Sequence, residues 1–554
     1  MAAETTKSKE PGEGGFVQKL LDGIEKVGNK VPHPVIMFLY LIAIIAVLSQ
    51  ILYMFRVSVT EEIAIPVPIE ILRDVRDALG GSIVAYDVYT GQPAYIPEFI
   101  IEEQTIPIQS LLTVPGLRFV FSSFVANFAG FGVVAVTLVA MAGVGVAEQA
   151  GMMAALIRKL VKVAPRNLIA FILILVGVLS SVASDAGYLI LIPLAATAFL
   201  TLGRHPLAGM AAAFAGVSAI FAVNVLITPI DSMITEITNE AIGLAGGAPI
   251  TVTANYFFSV ASTLILTVVA VIVTERIIEP RLGKYEGEGL IGDEELDPEA
   301  AKAEARGLQY ALYGFLIVFG VVLLLSLPPG APLRHPVTGN LIGTTPFMDS
   351  LIFIISLIFL ISGIGYGLGA KTIKSSNDVI SAVTKTFAGL SGLIFMLLMI
   401  SQFIAFFNYT NLPRVIAVVL ANALEQANIG ALPLLVGMIL VIILLNFIIP
   451  GVVPKWAIFA PIFIPLFIRL EVAPQTVLAA YRIGDSPTNV LTPLMVYLPF
   501  IVTVAQKYQK DAGLGTVIAL MIPYTLVIAI VWILLFVVWF LLGIPLGPGY
   551  PVNV

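Results

Sequence analysis

Four charged side chains sit where charge is costly: Asp185, Lys455, Arg482 and Asp485 all lie inside long apolar runs. An ionisable group within a hydrocarbon layer marks an ion or substrate pathway by default, the alternative being a structural ion pair. Hydroxyls and amides gather around these charges. Ser180, Ser181 and Ser184 accompany Asp185, and Asn224, Thr228 and Asp231 follow in the next run. In the second half, Asn446 to Trp456 carries Lys455, and Arg482 to Asn489 carries Asp485 and Ser486. Two phrases nearly repeat: Asn224-Val225-Leu226-Ile227-Thr228-Pro229 and Asn489-Val490-Leu491-Thr492-Pro493. A proline breaks a helix by removing a donor and clashing with the preceding turn. Inside a membrane such a break frees carbonyls at one half-helix end, which can coordinate Na+, and N–H groups at the other, which can hold a carboxylate.

The oxygens expected to complete a cation shell belong to Ser181, Ser184, Asp185, Asn224, Thr228, Asp485, Ser486, Asn489 and Thr492. Asp185 and Asp485 could equally carry protons, since a desolvated carboxyl tends toward a raised pKa and a nearby cation opposes that. Asp485 could also form a structural pair with Arg482 one turn away. Arg482 and Lys455 could hold an anionic substrate or serve as counter-ions. Trp456 could stack on an aromatic substrate or anchor at an interface.

The elements that must position these residues are membrane helices, expected in apolar runs at about 35–55, 110–150, 167–202, 206–230, 256–274, 308–327, 347–369, 384–428, 431–470, 474–502 and 514–543. The chain of 554 residues is 58% hydrophobic and 12% charged, with a mean hydropathy of +1.01. Soluble chains carry about twice that charged share. Basic residues belong on the cytoplasmic side. Five lysines place residues 1–34 inside, and this polar segment has no signal-peptide core, so the first run, 35–55, stays as an anchor. The acidic 57–108 loop falls outside; Arg158, Lys159, Lys162 and Arg166 return the chain inside. The run 167–202 is too short for two crossings and has a polar centre, so it reads as a re-entrant hairpin opening inward. The run 206–230 then crosses outward as a broken helix into a 231–255 loop that has no Lys or Arg.

The same order recurs after an acidic cytoplasmic linker, 275–307. The run 431–470 is a hairpin opening outward, and 474–502 is a broken helix. The reading is an all-α integral membrane protein with about nine transmembrane helices plus two re-entrant hairpins, in two inverted repeats with broken helices at the midplane. The halves are 35–274 and 308–554. The protein is multi-pass in an inner or plasma membrane, with a cytoplasmic N-terminus and the C-terminus outside. Inverted repeats with midplane breaks are a recurrent secondary-transporter architecture, and hairpins facing each other favour alternating access over a passive channel.

Other classes fare poorly. The net charge of −6 gives no basic patch for nucleic acid. The chain has no cysteine, and its three histidines are scattered. Ser184 beside Asp185 makes no triad without a membrane histidine, so no enzyme is expected. Gly363 to Thr372 resembles a phosphate loop but has Ala370 where the glycine before lysine belongs. It reads instead as small residues at a close helix contact.

The motifs together resemble the aminobenzoyl-glutamate transporter (AbgT) family over nearly the whole chain. They are Gly28-Asn29-Lys30-Val31-Pro32-His33-Pro34, Gly143-Val144-Gly145-Val146-Ala147-Glu148, Ser184-Asp185-Ala186-Gly187-Tyr188, Lys455-Trp456-Ala457 and Ala480-Tyr481-Arg482-Ile483-Gly484-Asp485-Ser486. Val453-Pro454 stands where the family pattern has small or small polar residues. The resemblance implies a homodimer of subunits with nine helices and two hairpins, and a pathway through Asp185, Trp456, Pro474, Arg482, Asp485 and Pro493. It also implies ion-driven transport of p-aminobenzoyl-glutamate or related aromatic carboxylates, with export of sulfonamide antimetabolites. The other expectation is a proton-driven drug antiporter with no sodium site.

Overall fold

The computed structural model describes residues 34–66, 85–86, 93–94, 99–183, 187–285, 298–342, 345–426, 430–449, 451–492 and 494–553. Ser184, Asp185 and Pro493 therefore lie outside the described residues, as does nearly all of segment 1–34. The apolar runs are helical because a backbone surrounded by hydrocarbon must satisfy its own hydrogen bonds. Helix α1 (Pro34–Met54) leads to an antiparallel ribbon of β1 (Ser58–Pro66) and β2 (Phe99–Pro107), with Ser58 opposite Pro107. This ribbon, within the acidic 57–108 loop, departs from the all-helical expectation. The 110–150 run is two helices, α2 (Val114–Ala129) and α3 (Gly132–Gln149), parted at Gly130 and Phe131.

Helix α4 (Met152–Lys162) bends by 115° into the first hairpin. Its rising arm is α5 (Ile169–Leu179) and a 3-10 turn, Ser180–Ala183; its returning arm is a π turn, Gly187–Leu191, and α6 (Ile192–Thr201). An α5 of 11 residues reaches about 16 Å, half the thickness of a hydrocarbon core. Next come α7 (Pro206–Phe214), which ends in a π turn, Ala215–Ala219, then α8 (Pro229–Leu244) and α9 (Tyr256–Val273). Helix α8 corrects the sequence reading: 231–255 is not simply an outer loop. Pro229, Met233, Ile237 and Ala241 are buried on it, and it packs against α3 and a later hairpin arm.

The linker 275–307 gives way to a long helix, α10 (Pro298–Ser326), followed by α11 (Leu351–Ala370). The glycines of 363–372 are close helix contacts. A Cβ on Gly363 would fall 2.7 Å from the Ala147 Cα, and one on Gly365 would fall 2.6 Å from the Tyr310 carbonyl. The 384–428 run resolves into the end of α12 (Ser376–Gly389), then α13 (Ser391–Tyr409) and α14 (Leu412–Gln426). The second hairpin comprises α15 (Ala431–Leu445) and α16 (Val452–Arg469). After it come α17 (Pro474–Asp485), a 3-10 turn at Pro487–Val490, α18 (Leu498–Gln506) and α19 (Leu514–Leu541).

Eight described helices are long and apolar enough to cross a membrane, or nine when the bent α4–α5 pair is counted as one span. One of the eight is α16, an arm of the second hairpin. The two halves pack alike. Helix α7 with its π turn contacts both α5 and α6, and α17 contacts both α15 and α16. In each half the helix leading into a break thus lies between the arms of its hairpin. The turn Ala215–Ala219, just before the first break, packs against Pro487–Val490 in the second.

Candidate functional site

Each hairpin is stitched to its break by an asparagine. Asn224 donates through Nδ2 to the Val178 carbonyl and to Ser181 Oγ, both at 2.9 Å, while its Oδ1 accepts from Leu226 N–H at 2.9 Å. In the second half the bridging amide sits on the hairpin. Asn446 Nδ2 faces the Asp485 carbonyl at 2.7 Å, Thr488 Oγ1 at 2.9 Å and Asn489 Oδ1 at 2.7 Å. These bonds satisfy backbone that the breaks leave without helical partners, which a buried site requires.

The charges form two pairs, and neither is the local Arg482–Asp485 pair. Lys455 Nζ lies 2.7 Å from Asp485 Oδ1, and both side chains are essentially excluded from solvent, at 0% and 1% exposure. Lys455 also donates to Asn446 Oδ1. Arg482 reaches into the first half, where its Nη1 donates to Asp231 Oδ1 and, at 2.9 Å, to the Ala222 carbonyl. Asp231 is held by the N-terminus of α8: its Oδ2 accepts from Thr228 N–H at 2.7 Å and Thr228 Oγ1 at 2.8 Å. Thr228 and Asp231 together form a capping box. Ser486 ties the same seam, since its Oγ accepts from Ala222 N–H and donates to the Arg482 carbonyl, each at 3.1 Å.

A cavity of 510 Å³ opens between the hairpins and breaks. Of the expected residues, it brings together Ser181, Asp485, Asn489 and Thr492. It is largely apolar elsewhere, through groups such as Met141, Phe221, Ile230 and Leu393. Asn224 and Arg482 instead line a small separate void together with Asp231. Trp456 is fully buried, donates to Thr238 Oγ1 at 2.9 Å and stacks on Tyr481 with ring centres 4.3 Å apart. Pro474 opens α17, eleven residues and about 16 Å of helix before Asp485. Neither Trp456 nor Pro474, Lys455, Thr228 or Ser486 lines the larger cavity.

The sequence reading names Asp231 and Asn446 without their partners, Arg482 and Lys455, and gives Tyr481 no role, although the Tyr481 hydroxyl donates to the Val452 carbonyl at 2.5 Å. The signal for Asp231 was present, because Thr-Pro-x-Asp is a helix-start signature.

This is the build of a membrane transporter: broken helices and hairpins converge on a buried, charged, cavity-lined centre. The chain belongs to the AbgT putative transporter family, whose profile matches residues 19–554. It is 31% identical over 535 residues to the p-aminobenzoyl-glutamate transport protein of Escherichia coli K12, covering 96% of this chain and 97% of that one. Its fold is similar to that of the Alcanivorax borkumensis YdaH transporter, with a TM-score of 0.81 and 34% identity, over 93% of this chain and all of that one. Neisseria gonorrhoeae MtrF, described with a class of antimetabolite efflux pumps, matches with a TM-score of 0.81 and 35% identity. That match covers 96% of this chain and 100% of MtrF. Members of this family are transporters rather than enzymes.

Proposed function

We propose that the chain is an ion-coupled secondary transporter that moves p-aminobenzoyl-glutamate or a related aromatic carboxylate by alternating access through the 510 Å³ cavity. The observation that carries this reading is the cavity's position: it touches the first hairpin at Ser181, the second at Gly451 and the second break at Asp485 and Asn489. Its volume lies in the usual range for small-molecule sites, about 300–1,000 Å³. The E. coli relative bears the name of that substrate.

The charge arrangement supports coupling to a cation. Asp485 is the one charged side chain among the described residues that line the cavity, and Lys455 already neutralises it. Arg482 is neutralised by Asp231. A carboxylate entering this space must take a cation from one of the pairs or arrive with a coupling ion, because an uncompensated buried charge is strongly disfavoured. Ser181, Asn489 and Thr492 supply neutral oxygens for Na+ beside Asp485; Ser184 and Asp185 belong to the same hairpin tip by sequence. In this reading the two halves are inverted repeats of a homodimer subunit.

A second reading, proton-driven export of antimetabolites with no sodium site, draws on the likeness to MtrF and on the fact that Asp485 already has a cationic partner. Uptake of labelled p-aminobenzoyl-glutamate into proteoliposomes tests both. The first reading expects accumulation under an inward Na+ gradient alone, and loss of it in Asp485→Asn. Accumulation under a proton gradient only, unaffected by Na+, selects the second reading. No transport under either gradient overturns both.

A further inference from the structure

The ring of an aromatic substrate needs a recognition surface, and the tryptophan expected to supply one is already engaged. Trp456 is covered by Tyr481 on one face, spends its N–H on Thr238 and does not line the cavity. Of the three aromatic residues that do line it, Phe221, Tyr188 and Tyr497, the two tyrosines pair with each other. Tyr188 lies on the π turn just after the first hairpin tip, and Tyr497 lies at the start of α18, after the second break. They come from opposite halves of the chain and stack nearly parallel, with ring centres 4.4 Å apart and planes 12° apart. Three methionines, Met141, Met233 and Met495, line the same space. The Met495 sulfur accepts from Ser218 Oγ at 3.7 Å, which fixes its position. Thioethers make favourable contacts with aromatic ring edges and adapt to their outline, and stacked aromatic pairs extend readily to a further ring.

We propose that the Tyr188–Tyr497 pair, with Met495 beside it, is the aromatic subsite of the transport cavity, and that it selects for a planar arene whether or not a glutamyl group is attached. This rests on the transport reading above. The subsite contains residues from both hairpin–break units, so arene binding ties the two halves together across the cavity. Selection by the ring sets a substrate order. p-Aminobenzoate competes with p-aminobenzoyl-glutamate, whereas free glutamate, which has no ring, does not.

Equilibrium binding of labelled p-aminobenzoyl-glutamate to the purified full chain in detergent tests the assignment. Tyr188→Leu and Tyr497→Leu are each expected to raise Kd roughly three- to tenfold, the range for aromatic pair contacts. Tyr188→Phe and Tyr497→Phe, which keep the ring, are expected to stay within about twofold of the parent chain on the same scale. Gel filtration and thermal melting check that the variants fold; if the leucine variants do not, Met495→Leu, expected to weaken arene binding about three- to fivefold, takes their place. A parent chain that binds the ligand, with leucine variants that bind equally well, overturns the subsite. Equal losses in the Phe and Leu variants also overturn it, because the hydroxyl rather than the ring would then be the determinant. A parent chain that binds neither arene overturns the transport reading itself, a result distinguishable from the other two.

Discussion

Truncating Lys455 should damage the protein more than removing Lys455 and Asp485 together. Lys455 and Asp485 meet at 2.7 Å with essentially no solvent contact. In Lys455→Met the carboxylate of Asp485 is left, among the described residues, with the Tyr481 hydroxyl at 3.5 Å, whose proton already goes to the Val452 carbonyl at 2.5 Å. Breaking a buried pair by removing one member costs about 3–5 kcal/mol, because the remaining charge is stranded in a low-dielectric interior. Asp485→Leu strands the ammonium in turn, with Asn446 Oδ1 as its remaining acceptor. The double variant Lys455→Met/Asp485→Leu strands neither charge, and replacing a whole buried pair by apolar groups is often neutral or stabilising by about 1–4 kcal/mol. The expected order of apparent Tm, read by thermal melting in one detergent at one scan rate, is therefore both single variants below the parent chain and the double variant above both singles. A common scan rate matters because large proteins often unfold irreversibly. Single variants that melt with the parent chain, or a double variant that melts below both singles, would falsify the claim that the charges depend on each other. Uptake should be lost in all three variants, since Asp485 lines the cavity and Lys455 is its partner.

Arg482→Lys should reduce uptake although charge is kept, because Nη1 at the far end of the guanidinium makes both bonds, to Asp231 and to the Ala222 carbonyl, and a lysine ammonium on its differently shaped stem does not reach that point in the same geometry; proteoliposome flux measures this. Gly484→Ala should destabilise the second hairpin by about 1–3 kcal/mol, since its Cβ would lie 2.6 Å from the Ile442 Cβ and 2.9 Å from the Ile439 carbonyl. Gly437→Ala, on the same hairpin with nothing within 4 Å, should melt with the parent chain. His205, which caps α7 by accepting from Leu207 N–H at 3.3 Å, has its pKa lowered by burial, with Glu279 opposing. Tyr285 and Arg204 are its other polar neighbours, the tyrosine ring edge-on at 5.3 Å. The unfolded chain therefore binds this proton more readily, so the stabilisation is present above pH about 6.5 and fades as pH falls from there toward the folded value. His205→Asn, which keeps a capping acceptor, should lose less Tm than the parent chain between pH 7.5 and pH 5.

Much of the architecture was legible because the bilayer imposes simple rules. Run length identified α1, α10, α11 and α19, and polar interruptions marked where α5 is parted from α6 and α15 from α16. The Asn…Thr-Pro phrases located breaks whose flanking residues bond across the halves, Ala222 and Asp231 to Arg482 and Ser486. Helix α8 was hidden by its own chemistry: Asp231, Glu236 and Glu240 lower its hydropathy, although Ile234, Ile237 and Ala241 keep a helical period on the buried face. The 384–428 run read as one segment because the turns that divide it, at Leu390 and at Thr410-Asn411, are only one and two residues long. Ser184, Asp185 and Pro493 lie outside the described residues, so the first hairpin's acid stays a reading of the sequence.

The sequence by itself placed Lys455, Arg482, Asp485 and two helix breaks within apolar membrane runs, where they need partners, and the described structure buries all three charges. Tertiary structure decided which partners. Proximity along α17 offered Asp485 to Arg482 three residues away, yet Arg482 pairs with Asp231, 251 positions distant, and Asp485 pairs with Lys455 from the facing hairpin. Burial requires that every charge be compensated, a condition written into residue types. Several pairings satisfy it equally on paper, and only the packing of the two breaks against each other selects one.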